Sequence, residues 1–396
     1  MKLKRHYLIT GFLLVTLTIF LAVLSAQAGG EADLTPKEQL GKMLYFDENL
    51  SANGNQSCAS CHDPAWGYAG PDSVVNEHGA VYAGSFPDRF GNRRPPTAAY
   101  AFASPILHYN EDEEVWIGGM FWDGRATGEY LGLPLAEQAK GPFLNPVEQA
   151  LPDATALCLK VAASTYVPLF VEVWGSLSCA TTRAVDLVYD QIGLSIAAYE
   201  ASAEVNPFTS KYDYFLRGEA KLNQREAEGL VLFEGKAMCS ACHPAPYFTD
   251  FTYDNLGVPR NPENPWYEMP TAYNPDGYDW IDYGLGGFLQ SAGYTEEVYE
   301  AEMGKHKVPT LRNADMRPRE DAVKAYMHNG AFHTLYDVVH FYNTRDVEAW
   351  PEPEVAQNVN EDELGDLGLS FREEKALVAF LRTLTDGYDP QKDKVR

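Results

Sequence analysis

Two five-residue stretches, Cys58-Ala59-Ser60-Cys61-His62 and Cys239-Ser240-Ala241-Cys242-His243, constrain this 396-residue chain more than any other feature. Both read C-x-x-C-H, the attachment pattern of a c-type haem. Two thiols three positions apart can each form a thioether with one vinyl group of a single porphyrin, and the imidazole that follows can then face the iron. That makes His62 and His243 the expected proximal ligands. A redox dithiol or a structural zinc ion can also use C-x-x-C, but zinc needs four protein ligands for every ion. The approach to each motif repeats as well. Thr35, Glu38, Gly41 and Leu44 lead into Cys58, and Asn223, Glu226, Gly229 and Leu232 lead into Cys239 with the same internal spacing. Each approach opens with a cap residue followed three positions later by Glu, then apolar residues at helical spacing, so each half should begin with a helix.

A third capping box, Ser370 with Glu373, opens a last expected helix with Leu377, Phe380, Leu381 and Leu384 on one face. Another helical stretch spans 181–202. The domain boundary is expected between 217 and 221, giving domains 29–218 and 219–396. Long segments rich in Gly, Pro, Asn and Tyr, at 67–96 and 248–287, are of the kind that something other than secondary structure organises. Strand signals are weak throughout.

The N-terminus carries Lys2, Lys4 and Arg5, an apolar run over 8–24 and the small-residue pattern Ala26-Gln27-Ala28. This reads as an export signal over 1–28, with an uncleaved anchor helix as the alternative. Export to the periplasm makes the remaining cysteines, Cys158 and Cys179, a structural disulfide rather than two buried thiols. The formal net charge is −25, so nucleic acid is excluded as a partner, whereas a basic redox protein would be attracted.

Further residues resemble a known family. The run Phe121-Trp122-Asp123-Gly124-Arg125-Ala126, then Glu137-Gln138-Ala139, Gly141-Pro142 and Asn145-Pro146-Val147-Glu148, is similar to the active-site stretch of the bacterial dihaem cytochrome c peroxidase and MauG superfamily. Val308-Pro309-Thr310-Leu311-Arg312-Asn313, Tyr326-Met327-His328-Asn329-Gly330 and the closing Leu377-Val378-Ala379-Phe380-Leu381 resemble its second domain. The resemblance implies a mainly α fold of two cytochrome c-like domains, each binding one covalently attached c-type haem. It implies that peroxide reacts at the haem on His62, with Glu148 as acid-base group, Gln138 beside it and Trp122 as electron relay between the haems. It also implies a calcium ion between the haems, for which Asn92 is the one side-chain candidate.

Three departures stand out. Trp122 and Gln138 are further apart than in the family, which implies an inserted loop at 128–134 by the pocket mouth. His78 stands where relatives carry a displaceable distal histidine, ahead of a longer loop. Tyr342 aligns where dihaem peroxidases have Met and MauG-like enzymes have Tyr, and is the expected sixth ligand of the second haem; Met303, Met316 and Met327 are its alternatives. The expected enzyme reduces hydrogen peroxide with electrons from a small cytochrome or copper protein, or oxidises a partner protein. A dihaem electron carrier without peroxide chemistry is the alternative from another class. Oligomeric state and the choice between soluble periplasmic and surface location stay open.

Overall fold

The structure, a computed structural model, describes residues 33–392. The expected export signal lies outside the described residues. In chain order the first half carries α1 (Pro36–Tyr45), α2 (Ser73–Glu77), the hairpin of β1 (His108–Asn110) and β2 (Val115–Ile117), then α3 (Pro134–Leu144), α4 (Ala154–Ala162), α5 (Val167–Trp174) and α6 (Thr182–Glu200). A connecting helix, α7 (Lys211–Leu216), leads to the second half, which carries α8 (Gln224–Glu234), β3 (Tyr253–Asp254), α9 (Gly284–Ser291), α10 (Glu296–Glu300), β4 (His306–Lys307), α11 (Leu335–Thr344) and α12 (Phe371–Arg382). The fold is mainly helical. Its only paired strands among the described residues are the two short antiparallel ribbons β1–β2 and β3–β4.

All three capping boxes form. The Thr35, Asn223 and Ser370 side chains each accept from a first-turn amide, and Glu38, Glu226 and Glu373 reach back to the cap amides. That satisfies donors a helix start otherwise leaves open. The repeated glycines have a packing reason. A Cβ on Gly41 would stand 1.9 Å from the Ser195 carbonyl oxygen, and one on Gly229 would stand 2.0 Å from that of Ala376. Each half therefore presses its first helix onto its last, α1 on α6 and α8 on α12, at a distance only glycine permits.

Two main cores follow from these crossings. One is built from residues such as Leu40, Leu44, Phe143, Phe170, Ile192 and Ile196, the other from Leu232, Phe233, Phe341, Leu377 and Phe380. The described part from Leu34 onward is nonetheless one compact unit. Arg312, 1% exposed, ties the halves: it forms two hydrogen bonds, 2.8 and 3.0 Å, to Asp213 just after the chain leaves the first half. The Cys158–Cys179 disulfide forms and joins α4 to the segment before α6.

No single described helix is long and apolar enough to cross a membrane. The bent pair α4 and α5 passes by composition, but Leu157, Cys158, Val161 and Phe170 are spent on the first core.

Candidate active site

Each C-x-x-C-H motif forms a short 3₁₀ turn, Cys58–Ser60 and Cys239–Ala241, that opens onto a cavity. The cleft at His62 spans about 700 Å³ and that at His243 about 1550 Å³, both counted with the open solvent at their mouths. Each histidine is oriented from behind: His62 Nδ1 lies 3.2 Å from the Tyr68 carbonyl and His243 Nδ1 2.9 Å from that of Phe248. With Nδ1–H donated there, Nε2 is the free nitrogen, the arrangement typical of a metal-binding imidazole. Burial lowers the affinity of both rings for protons, His243 to about 4, so both are neutral and able to ligate.

The residues present fit a haem on three counts. The four motif thiols are unpaired, while the third cysteine pair is oxidised. Burial pushes all four thiols up, Cys61 and Cys239 to about 12, which is no environment for a reactive redox thiolate. Second, three cations on the wall of the His243 cavity, Lys324 buried and Arg94 and Lys307 half-buried, have only main-chain carbonyls as hydrogen-bond partners: Arg94 on Met327 and Pro95, Lys307 on Gly118 and Phe251, Lys324 on Trp66 and Met316. Burial depresses them, Arg94 to about 10 and the two lysines to about 7. Such charges call for an anionic occupant, as the carboxylates of a haem would provide. Third, buried atoms without a hydrogen-bond partner belong to residues that line the cavities: the Gln56, Gln149 and Glu200 side-chain oxygens at His62, and Nε2 of His328 at His243.

Glu148 and Gln138 both line the His62 cavity. Burial raises the Glu148 carboxyl above its ordinary range, against the opposing pull of Arg125 and a hydrogen bond from Asn145. A carboxyl raised this way holds a proton more readily than an exposed glutamate, as a group that relays protons requires. Trp122, 5% exposed, lies between the two cavities. Its indole donates to the Arg94 carbonyl at 2.8 Å, its own carbonyl accepts from the Lys307 amide at 2.8 Å, and it lines both the His243 cavity and a smaller one that shares Met120 and Phe121 with the His62 cavity.

Tyr342, on α11, lines the His243 cavity together with Cys239, Cys242 and His243. Burial first, then the charges of Cys242, Asp254 and Cys239, push its phenol well above the usual range. Of the three methionine alternatives, Met327 lines this cavity and Met303 and Met316 do not.

His78 is not brought to the His62 cavity, contrary to the expectation of a distal ligand. The helix α2, capped by Asp72, ends at His78 and leaves its side chain 63% exposed, 3.0 Å from Glu263. A surface hydrogen bond holds it.

The expected calcium ion gains no support from the described residues. The Asn92 carbonyl accepts from Asn264 at 2.9 Å. Asp282, His306 and His328 come together, but two imidazoles suit calcium poorly and Asp282 is already held by the Arg93 guanidinium through two 2.6 Å hydrogen bonds.

The sequence reading missed Glu200. It closes α6, is 4% exposed and lines the His62 cavity, where burial raises its carboxyl to about 8. A glutamate at the end of an apolar helix face was the available signal. The inserted loop is organised by Glu137, whose carboxylate accepts from the amides of Gly128, Tyr130 and Leu131 at 2.7 to 2.8 Å. Leu135, at the end of that loop, reaches the cavity.

A family profile for di-haem cytochrome c peroxidase matches residues 35–221. The methylamine utilization protein MauG of Paracoccus denitrificans is 35% identical, over 95% of this chain and 96% of its own. The cytochrome c551 peroxidase of Nitrosomonas europaea is 29% identical over 88% of this chain and 79% of its own. Among solved structures, the diheme peroxidase BthA of Burkholderia thailandensis superposes with a TM-score of 0.75 at 30% identity, covering 90% of this chain and 88% of that one. The chain belongs to the di-haem cytochrome c peroxidase family that includes MauG.

Proposed function

We propose that this protein is an exported haem-dependent oxidoreductase that acts on hydrogen peroxide in the His62 cavity. Two c-type haems, linked through Cys58 and Cys61 and through Cys239 and Cys242 and ligated by His62 and His243, would supply the iron for this chemistry. The halves 29–218 and 219–396 would be the two cytochrome c-like domains. The observation that carries the reading is the convergence of Glu148, Gln138 and the free face of His62 on one cavity, with Trp122 between that cavity and the next.

Reduction of peroxide to two waters consumes two electrons and two protons. Glu148, held above the ordinary carboxylate range, takes a proton from the inner peroxide oxygen and returns it to the outer one; Gln138 steadies the outer oxygen by hydrogen bonding. Trp122 passes electrons between the cavities. Tyr342 would help hold the second haem, and its phenolate would be an anionic donor that favours the oxidised metal. A pure electron carrier has no use for a tuned carboxyl over an open cavity. The leader-like N-terminus, the disulfide and the attachment motifs support an oxidising, periplasmic location.

The test is rapid mixing of the haem-loaded diferric protein with one equivalent of peroxide. Glu148→Gln should slow the optical change by roughly 10²- to 10⁴-fold without altering the resting spectrum. A wild-type rate in that variant would contradict the reading.

Tyr342 at the His243 cavity favours, as the fate of the oxidising equivalents, oxidation of aromatic residues in a partner protein over simple peroxide removal with a small cytochrome or copper-protein donor. The acidic chain suits a basic partner in either case. Tyr342→Met should abolish any long-lived oxidised state; its persistence in the variant would remove this preference.

A further inference from the structure

Both halves bury an aromatic triad behind the cavity-facing histidine, and only one triad is hydroxylated. In the second half Phe233, Phe248 and Phe380 pack with ring centroids 5.1 to 6.3 Å apart. The first half has Tyr45, Tyr199 and Tyr68 in the same places. Tyr45 follows Gly41 by four residues as Phe233 follows Gly229, and the Cβ atoms of Tyr199 and Phe380 face those two glycines. The carbonyls of Tyr68 and Phe248 receive the Nδ1 of the two histidines. Centroids lie 5.3 Å apart for Tyr45 and Tyr199 and 6.3 Å for Tyr45 and Tyr68.

Packing alone does not explain the three hydroxyls, since phenylalanine does the packing in the other half and a buried phenol must find a partner. Each finds one. Tyr45 donates to the His62 carbonyl at 2.6 Å, Tyr68 and Tyr199 are hydrogen-bonded to each other, and Tyr199 donates to Glu204 Oε1 at 3.0 Å. Glu204 is about one-third exposed (32%) and ion-paired to Lys42 at 2.7 Å. Phe46, 41% exposed, stands over the Tyr45 and Tyr199 rings at 5.2 and 6.2 Å. The chain of rings and hydroxyls therefore runs from the main chain of His62 to solvent, and Trp122 is not a member of it.

We propose that Tyr45, Tyr68 and Tyr199 form a one-electron relay between the His62 cavity and the surface at Phe46 and Glu204, through which a one-electron reductant returns electrons after peroxide has been reduced. This rests on the reading that peroxide reacts in the His62 cavity. The step balances as follows. Peroxide leaves the cavity short of electrons; Tyr199 supplies one and its phenol proton passes to Glu204, leaving a neutral tyrosyl radical. The reductant gives Tyr199 one electron, Glu204 returns the proton, and the O–H bond is restored with the reductant oxidised by one electron.

The experiment is freeze-quench electron paramagnetic resonance of the holoprotein, labelled with ring-deuterated tyrosine, after one equivalent of hydrogen peroxide, with the optical spectrum recorded in parallel. A tyrosyl signal that narrows on deuteration is expected. It should be lost in Tyr199→Phe, a change the second half already tolerates at Phe380, and should form roughly 10²-fold more slowly in Glu204→Gln, which lacks the proton acceptor. The resting optical spectrum should stay the same in both variants. An undiminished tyrosyl signal in Tyr199→Phe overturns the relay, as does a wild type that responds optically but shows no tyrosyl signal. A wild type with no optical response overturns the peroxide reading itself and the relay with it.

Discussion

The two halves share a frame and differ in what they hang on it. In each, a glycine lets the first helix touch the main chain of the last, and a carbonyl behind the histidine fixes its ring. Beyond that frame the first cavity is lined by Glu148, Gln138 and Glu200, whereas the second is lined by Tyr342 and the cations Arg94, Lys307 and Lys324. The helical crossing fixes the proximal side. The distal wall, which decides the chemistry, comes from loops and later helices that the repeat does not constrain.

The comparison can be broken first at its joint. Replacing Arg312 by Met strands the Asp213 carboxylate among buried groups and should cost about 3–5 kcal/mol, read as a lower urea midpoint of the holoprotein; a cost under 1 kcal/mol would mean that the halves do not lean on this pair. Removing the Cys158–Cys179 disulfide, whose partners are 21 residues apart, should cost about 3 kcal/mol. Calorimetry should show the loss in the first half's transition, because the second half has no such crosslink. Ala at Gly41 or at Gly229 should cost about 1–3 kcal/mol, similar for the two, since both insert a Cβ into a carbonyl; a large disparity would show that the shared frame is only apparent. The smallest effect is acid sensitivity. Arg312 and Ser210 outweigh burial and hold the Asp213 carboxyl below its ordinary range. Its stabilisation is therefore present above the unfolded carboxylate pKa of about 3.9 and is lost as pH falls through the lower folded value. Arg312→Met should flatten that acid limb of a stability-versus-pH curve.

Much of the frame was legible in the sequence because it rests on local rules. Capping boxes, apolar spacing and C-x-x-C-H each act within a few residues, and the helices at 36–45, 224–234 and 371–382 start where their caps require. The convergence of Glu148, Gln138 and Tyr342 on the cavities was legible only through resemblance, since each alone is an ordinary polar residue. His78 misled because spacing from a motif does not fix the course of a loop: Asp72 caps a short helix that turns the side chain to solvent. Glu200, Arg94 and Lys324 were missed because a charged group left without an ion pair at a cavity wall depends on what the fold withholds from it, and no sequence pattern records that.

The most direct test of a division between one open and one closed cavity is a cyanide titration of the diferric holoprotein, followed optically, in wild type and in Tyr342→Phe. The account predicts one equivalent bound in the wild type and two in the variant, whose phenyl ring cannot ligate. Two equivalents bound by the wild type, or one still bound by Tyr342→Phe, would contradict it.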